Sequence, residues 1–135
     1  MTDLGAERRL FHIAVFLAAF VPISAGAAGI WDPQLVGGHQ LLTANFDSHF
    51  RYMSGLLLGL GIAFLWTAWK IETRSAQFQL LGWIVIAGGL GRLFGMASLG
   101  LPEMAHRLAL GMELGVVPLL MVWLSRIMRR SSSSA

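Results

Sequence analysis

"FQLLGWIVIAGGLGRLFGMASLGL", residues 78–101, carries a single formal charge, Arg92. A run this long and this apolar is enough to cross a hydrocarbon core of ~30 Å, which takes about 20 residues of helix. It is therefore read as a membrane-spanning helix, and Arg92 becomes the residue to explain. Three more segments fit the same description. The first runs over about 10–30, with no formal charge between Arg9 and Asp32; the others cover about 48–69 and 104–128, and the opening run itself spans 78–98. The connections are short except for residues 31–47, "WDPQLVGGHQLLTANFD", where Pro33, Gly37 and Gly38 break regular structure. The expected fold is all-α, an integral membrane four-helix bundle forming one domain over residues 1–130. The "SSSSA" tail, 131–135, is too small and polar to pack and is expected to be disordered.

Composition agrees. The 135 residues are 56% hydrophobic and only 13% charged, with a mean hydropathy of +0.66, whereas soluble domains run to about a quarter charged. The net charge of +3 does not point to nucleic acid, because no basic run exceeds Arg129-Arg130 and the basic residues punctuate apolar segments. Absence of cysteine excludes disulfides, thiol catalysis and thiolate metal sites. The glycine-rich "GLLLGLG" and "GGLGRLFG" lie inside apolar spans and not after a strand, so they are not nucleotide fingerprints and no cofactor is expected. The first segment shares features with a secretory signal: Arg8-Arg9, an apolar run, then Pro22 and "SAGAA". Its charge-free stretch is long enough to span, so it is read as a retained helix.

Direction follows from the basic residues. Arg8, Arg9, Lys70, Arg74, Arg126, Arg129 and Arg130, seven of the ten Lys and Arg, fall on one side. Both termini are therefore expected to be cytoplasmic, in the inner membrane. Trp66, Trp69, Trp83 and Trp123 fall near the same ends, where an aromatic belt belongs.

The remaining charges share the opposite leaflet. The second span opens with "DSHFRY" (Asp47, His49, Arg51), the third meets Arg92 on its way out, and the fourth re-enters through "LPEMAHRLALGMELG", with Glu103, His106, Arg107 and Glu113. Counted from Phe78, Arg92 lies roughly 9 Å below the outer boundary, and counted from Met104, Glu113 lies about 13 Å below it. Helical side chains lean toward their own N-terminus, so on these antiparallel spans the two lean toward each other. An unpaired charge at such depth costs at least ~2.5 kcal/mol. Arg51 leads a stripe with Gly55 and Gly59, Gly88 and Gly95 flank Arg92, and Gly111 and Gly115 flank Glu113; these small faces are expected to be helix–helix contacts.

The cluster has two readings. In the first, Arg51 and Arg92 supply a surplus positive charge, and Arg51, Arg92, Glu113, His49, His106, Asp47 and Arg107 bind a small amphipathic molecule with an acidic head, a lipid or fatty acid. In the second, the Arg/Glu pair is a packing device of an accessory subunit that docks on another membrane protein or on its own copy; "GLLLG" (55–59) and "GRLFG" (91–95) have the GxxxG form. No nucleophile has an adjacent base, and no catalytic residue is assigned. The histidines lack tight ligand spacing, so no metal site is expected. The partners expected are the bilayer, such a ligand and a membrane complex.

"FRYMSGLLLGLG" (50–61), "GGLGRLFGMASLGLP" (88–102) and "ELGVVP" (113–118) together resemble the domain-of-unknown-function family 4345, small bacterial four-helix membrane proteins. The resemblance covers about Leu10 to Trp123. Its pattern falls on Arg51, Arg92, Gly100 with Pro102, and Glu113 with Pro118. It implies the fold and the choice of residues and carries no activity.

Overall fold

The structure, a computed structural model, describes residues 4–37 and 43–133. Gly38, His39 and the last two residues of the tail lie outside them. Helices α1 (Leu4–Trp31), α2 (Pro33–Gly37), α3 (Ala44–Trp69) and α4 (Ile71–Leu99) come first; α5 (Met104–Gly111), a π-helical turn (Met112–Val116) and α6 (Val117–Ser132) follow. No strand occurs among the described residues. Four helices are long and apolar enough to cross a membrane: Leu4–Trp31, Ala44–Trp69, Ile71–Leu99 and Met104–Ser132. Each contains one of the expected spans and runs beyond it.

Only 11–28% of the most apolar window of each long helix is buried within the protein. Leu99 (93% exposed), Phe94, Leu17 and Phe20 stand outward. Such exposure is tolerable where lipid, not water, covers the apolar surface, since the helices satisfy their own backbone hydrogen bonds.

The sequence sets the helix ends locally. Asp32 ends α1 with its N–H on Ala28 O (2.8 Å), then accepts the Gln34 N–H on Oδ1 (3.0 Å) and caps α2, whose first residue is Pro33. The loop that proline and glycine were expected to leave irregular thus begins with a helical turn. Thr43 caps α3, its Oγ1 accepting the Phe46 N–H (3.3 Å), which starts the helix four residues before Ser48. Gly100 ends α4 at φ 94°, a left-handed conformation that favours glycine, and its N–H bonds Met96 O (3.0 Å). At the other end, α6 continues through Ser131 and Ser132, two residues into the expected tail.

The chain divides into two compact units. One is Phe16–Trp66, containing α2, most of α1 and most of α3. Here Gly26 and Gly29 let α1 approach α3. A Cβ on Gly26 would stand 2.6 Å from Leu58 N and 2.7 Å from Ser54 O, and one on Gly29 would press on the buried Ser54 hydroxyl. The other unit is Met1–Val15 with Thr67–Ala135. Its core is Phe11, Val15, Ile71, Phe78, Leu124 and Ile127, each at most 1% exposed. Phe11 packs on Phe78 (5.6 Å between centroids) and meets Trp123 edge-on (5.5 Å).

Polar side chains close the end of this second unit. Glu7 accepts from Trp123 Nε1 (3.2 Å) and from Arg130 (3.0 Å); Arg8 donates to Glu72 (3.0 Å) and to Ser131 Oγ (2.8 Å). Both ring nitrogens of His12 lie 2.7 Å from carbonyl oxygens, those of Arg8 and Ala68. Trp69 (83% exposed), Trp83 and Trp66 face outward as belt residues would, whereas Trp123 is half-buried. The bond to Glu7 and the edge contact with Phe11 hold it inward.

Candidate functional site

Arg92 is held on α4 within the second unit. Its Nε donates to Glu113 Oε2 and its Nη2 to Glu113 Oε1, both at 3.0 Å, a parallel two-point pairing that fixes the guanidinium plane. Nη1 lies 3.0 Å from His106 Nδ1. The guanidinium has five N–H donors and no acceptor, so His106 Nδ1 accepts. The carboxylate side chain is 17% exposed and the arginine 32%. The expected pairing of Arg92 with Glu113 is present, and α5 adds His106.

Two local features allow this approach. Pro118 has no N–H, and its ring crowds the carbonyl four residues earlier. The chain widens just before it into the π turn, in which the Val117 N–H reaches Met112 O, five residues back. A π turn inside an α-helix shifts the facing of its side chains and is frequent at functional sites. The second feature is Gly89, buried on α4 one turn before Arg92. A Cβ there would lie 2.9 Å from Glu113 Cβ and 2.9 Å from Leu114 Cδ2. Gly89 does not share a helical row with Gly88 and Gly95, so that stripe leaves it out. Its signal was present all the same: it precedes Arg92 by three residues, which places it on the same face.

Arg92 and His106 line a groove of about 270 Å³ together with Gly95, Met96, Leu99, Gly100 and Pro102. That is just below the usual range of ligand pockets, about 300–1,000 Å³. The wall is mostly apolar, and Arg92 and His106 are its two polar side chains. The Gly100 turn folds α5 back so that His106 returns to Arg92 across 14 positions.

Arg51 and Asp47 belong to the Phe16–Trp66 unit and pair with each other. Nε donates to Asp47 Oδ2 (2.9 Å) and Nη2 to Oδ1 (3.2 Å), while Nη1 donates to the carbonyls of Ile30 and Trp31. This corrects the expected surplus of positive charge. Asp47 sits one turn before Arg51, the spacing at which opposite charges meet on a helix, and it balances Arg51 as Glu113 balances Arg92. His49 and Arg107 are exposed. The glycine stripes need the same correction. Cβ atoms at Gly55, Gly59, Gly88, Gly91, Gly95 and Gly115 would meet nothing within 4 Å among the described residues. Among those residues no three His, Asp or Glu side chains gather into a metal-binding group.

A family model described as "Domain of unknown function (DUF4345)" matches residues 10–124. No curated protein and no solved structure gives a match.

Proposed function

The chain belongs to the DUF4345 family, a domain of unknown function, and we propose that it binds, or passes along, a small amphipathic molecule with an acidic head, a lipid or fatty acid, at Arg92 and His106. The observation that carries this reading is the donor inventory in the wall of a mostly apolar groove. Glu113 and His106 occupy three of the five Arg92 N–H donors. The remaining two, with the other ring nitrogen of His106, have no partner among the described residues and suit the oxygens of a carboxylate or phosphate. Met96, Leu99 and Pro102 suit the start of an alkyl tail. Glu113 orients Arg92, and Gly89 with the Pro118 π turn sets Glu113.

The test is native mass spectrometry of protein released from mild detergent, wild type beside Arg92→Gln. A discrete acidic adduct on wild type, absent from the folded variant, is the expected result. A bare wild type favours the second reading, in which the pair only packs α4 against the fourth span. The observation favouring that alternative is the mutual satisfaction of Arg92 and both Glu113 oxygens.

For orientation we propose cytoplasmic termini in the inner membrane, from the bias of basic residues. Alkaline phosphatase fused after Arg130 should be inactive in cells, and fused within the 100–103 turn active. The opposite pattern would invert the assignment and put the Arg92 groove on the cytoplasmic side.

A further inference from the structure

Resting on the reading of this groove as an acid-binding site, we infer that His106 takes up a proton as the acid binds, so that the ligand is held as an electroneutral unit. The arginine fixes the starting state. Because Arg92 can only donate, the lone pair of His106 Nδ1 faces it, and the ring hydrogen sits on Nε2. In this arrangement Nδ1 carries no hydrogen, and Arg92 with Glu113 sums to zero. The other charged groups near His106 are Glu103 and Arg107 on its own stretch, exposed and opposite in sign. The site is therefore rich in donors but has no net positive charge.

An incoming carboxylate adds one negative charge close to Glu113. Like charges in such surroundings disfavour one another strongly, and a proton relieves the conflict. Glu113 is poorly placed to take it, because each of its oxygens already accepts from Arg92. His106 Nδ1 is better placed. Its single partner among the described residues is the Arg92 Nη1 hydrogen, and a carboxylate oxygen can replace it as that acceptor. One hydrogen bond is exchanged: Nη1–H turns from Nδ1 to the ligand oxygen, and Nδ1 gains one proton from solvent. No covalent bond forms apart from N–H, and the charge of the filled site returns to zero. His106 in its charged form then offers two N–H donors to the head.

This mechanism predicts a measurable proton count. Sodium decanoate is titrated calorimetrically into the full chain in detergent, at neutral pH, in two buffers of different ionisation enthalpy, with empty micelles as the blank. Wild type should take up about one proton per decanoate bound, by the linkage between proton and ligand binding, while decanol should bind with none. His106→Gln should bind decanoate more weakly, by roughly tenfold, with no proton uptake; loss of one hydrogen bond to a charged group is worth about that much. Decanoate binding to wild type without proton uptake, or undiminished uptake by His106→Gln, overturns the inference and leaves the acid-binding site standing. No decanoate binding in either buffer, confirmed by native mass spectrometry, overturns the site itself and the inference with it.

Discussion

Glu113→Leu, with Arg92 retained, is expected to destabilise the protein by about 3 kcal/mol, because removing one member of a largely buried ion pair strands the other charge. Glu113 is 17% exposed and Arg92 32%, so partial solvation places the loss at the low end of the usual range for buried pairs. Arg92→Met should cost a comparable amount: it leaves the carboxylate without its two donors and His106 Nδ1 without its hydrogen. The double change Arg92→Met with Glu113→Leu is expected to recover most of the loss, since exchanging a buried pair for apolar side chains is often neutral or stabilising. Unfolding in mixed micelles, followed by circular dichroism across the four variants, checks this as a double-mutant cycle. A double variant as unstable as either single would mean that the pair supports α5 through His106 as well as itself. Function separates the two readings further. If the pair only packs helices, the double variant keeps whatever wild type does; if the groove binds an acid, the double variant folds and loses its adduct.

Gly26→Ala is the second large effect. The added carbon would lie 2.6 Å from Leu58 N and 2.7 Å from Ser54 O, both backbone atoms, so no rotamer change relieves it. Within the Phe16–Trp66 unit α1 and α3 must separate, and the packing built on that approach is lost. Overpacking of this kind costs about 1–3 kcal/mol, and the backbone-to-backbone contact points to the upper end. Gly82→Ala provides the contrast. The three atoms nearest its added carbon would all belong to the side chain of Met121, a flexible thioether rather than backbone, so the loss should be smaller than at Gly26. Gly55→Ala meets nothing within 4 Å and should be neutral or stabilising by up to ~1 kcal/mol through helix propensity. Thermal unfolding of the three variants ranks them. A Gly26→Ala protein as stable as Gly55→Ala would show that α1 and α3 do not cross this closely.

The contrast among glycines shows where reading along the chain stops. Counting rows every four residues selects stripes such as Arg51–Gly55–Gly59, and small stripes do mark helix contacts in many membrane proteins. Here the close approaches fall on Gly26, Gly29, Gly61, Gly82 and Gly89. Which row meets a neighbour depends on how each helix is rotated about its axis, and a uniformly apolar helix carries no polar face to set that rotation. Arg51 shares a leaflet with Arg92 and leads a small-residue stripe, but Asp47 stands one turn away on the same helix and takes its charge.

The number of apolar spans and the pairing of Arg92 with Glu113 follow from the sequence itself. Run length, 1.5 Å of rise per residue and the lean of helical side chains are properties of each helix alone. Tertiary structure decided the rest. Pro118 deprives the turn before it of a donor in any context, yet a kink and a π turn both answer that deficit. The contact of Glu113 and Leu114 with the bare face of Gly89 accompanies the π turn, and the same contact gives Glu113 its place. His106 joins Arg92 because the left-handed Gly100 turns the chain back on itself. A site assembled from α4, α5 and the π turn exists only once all three are packed.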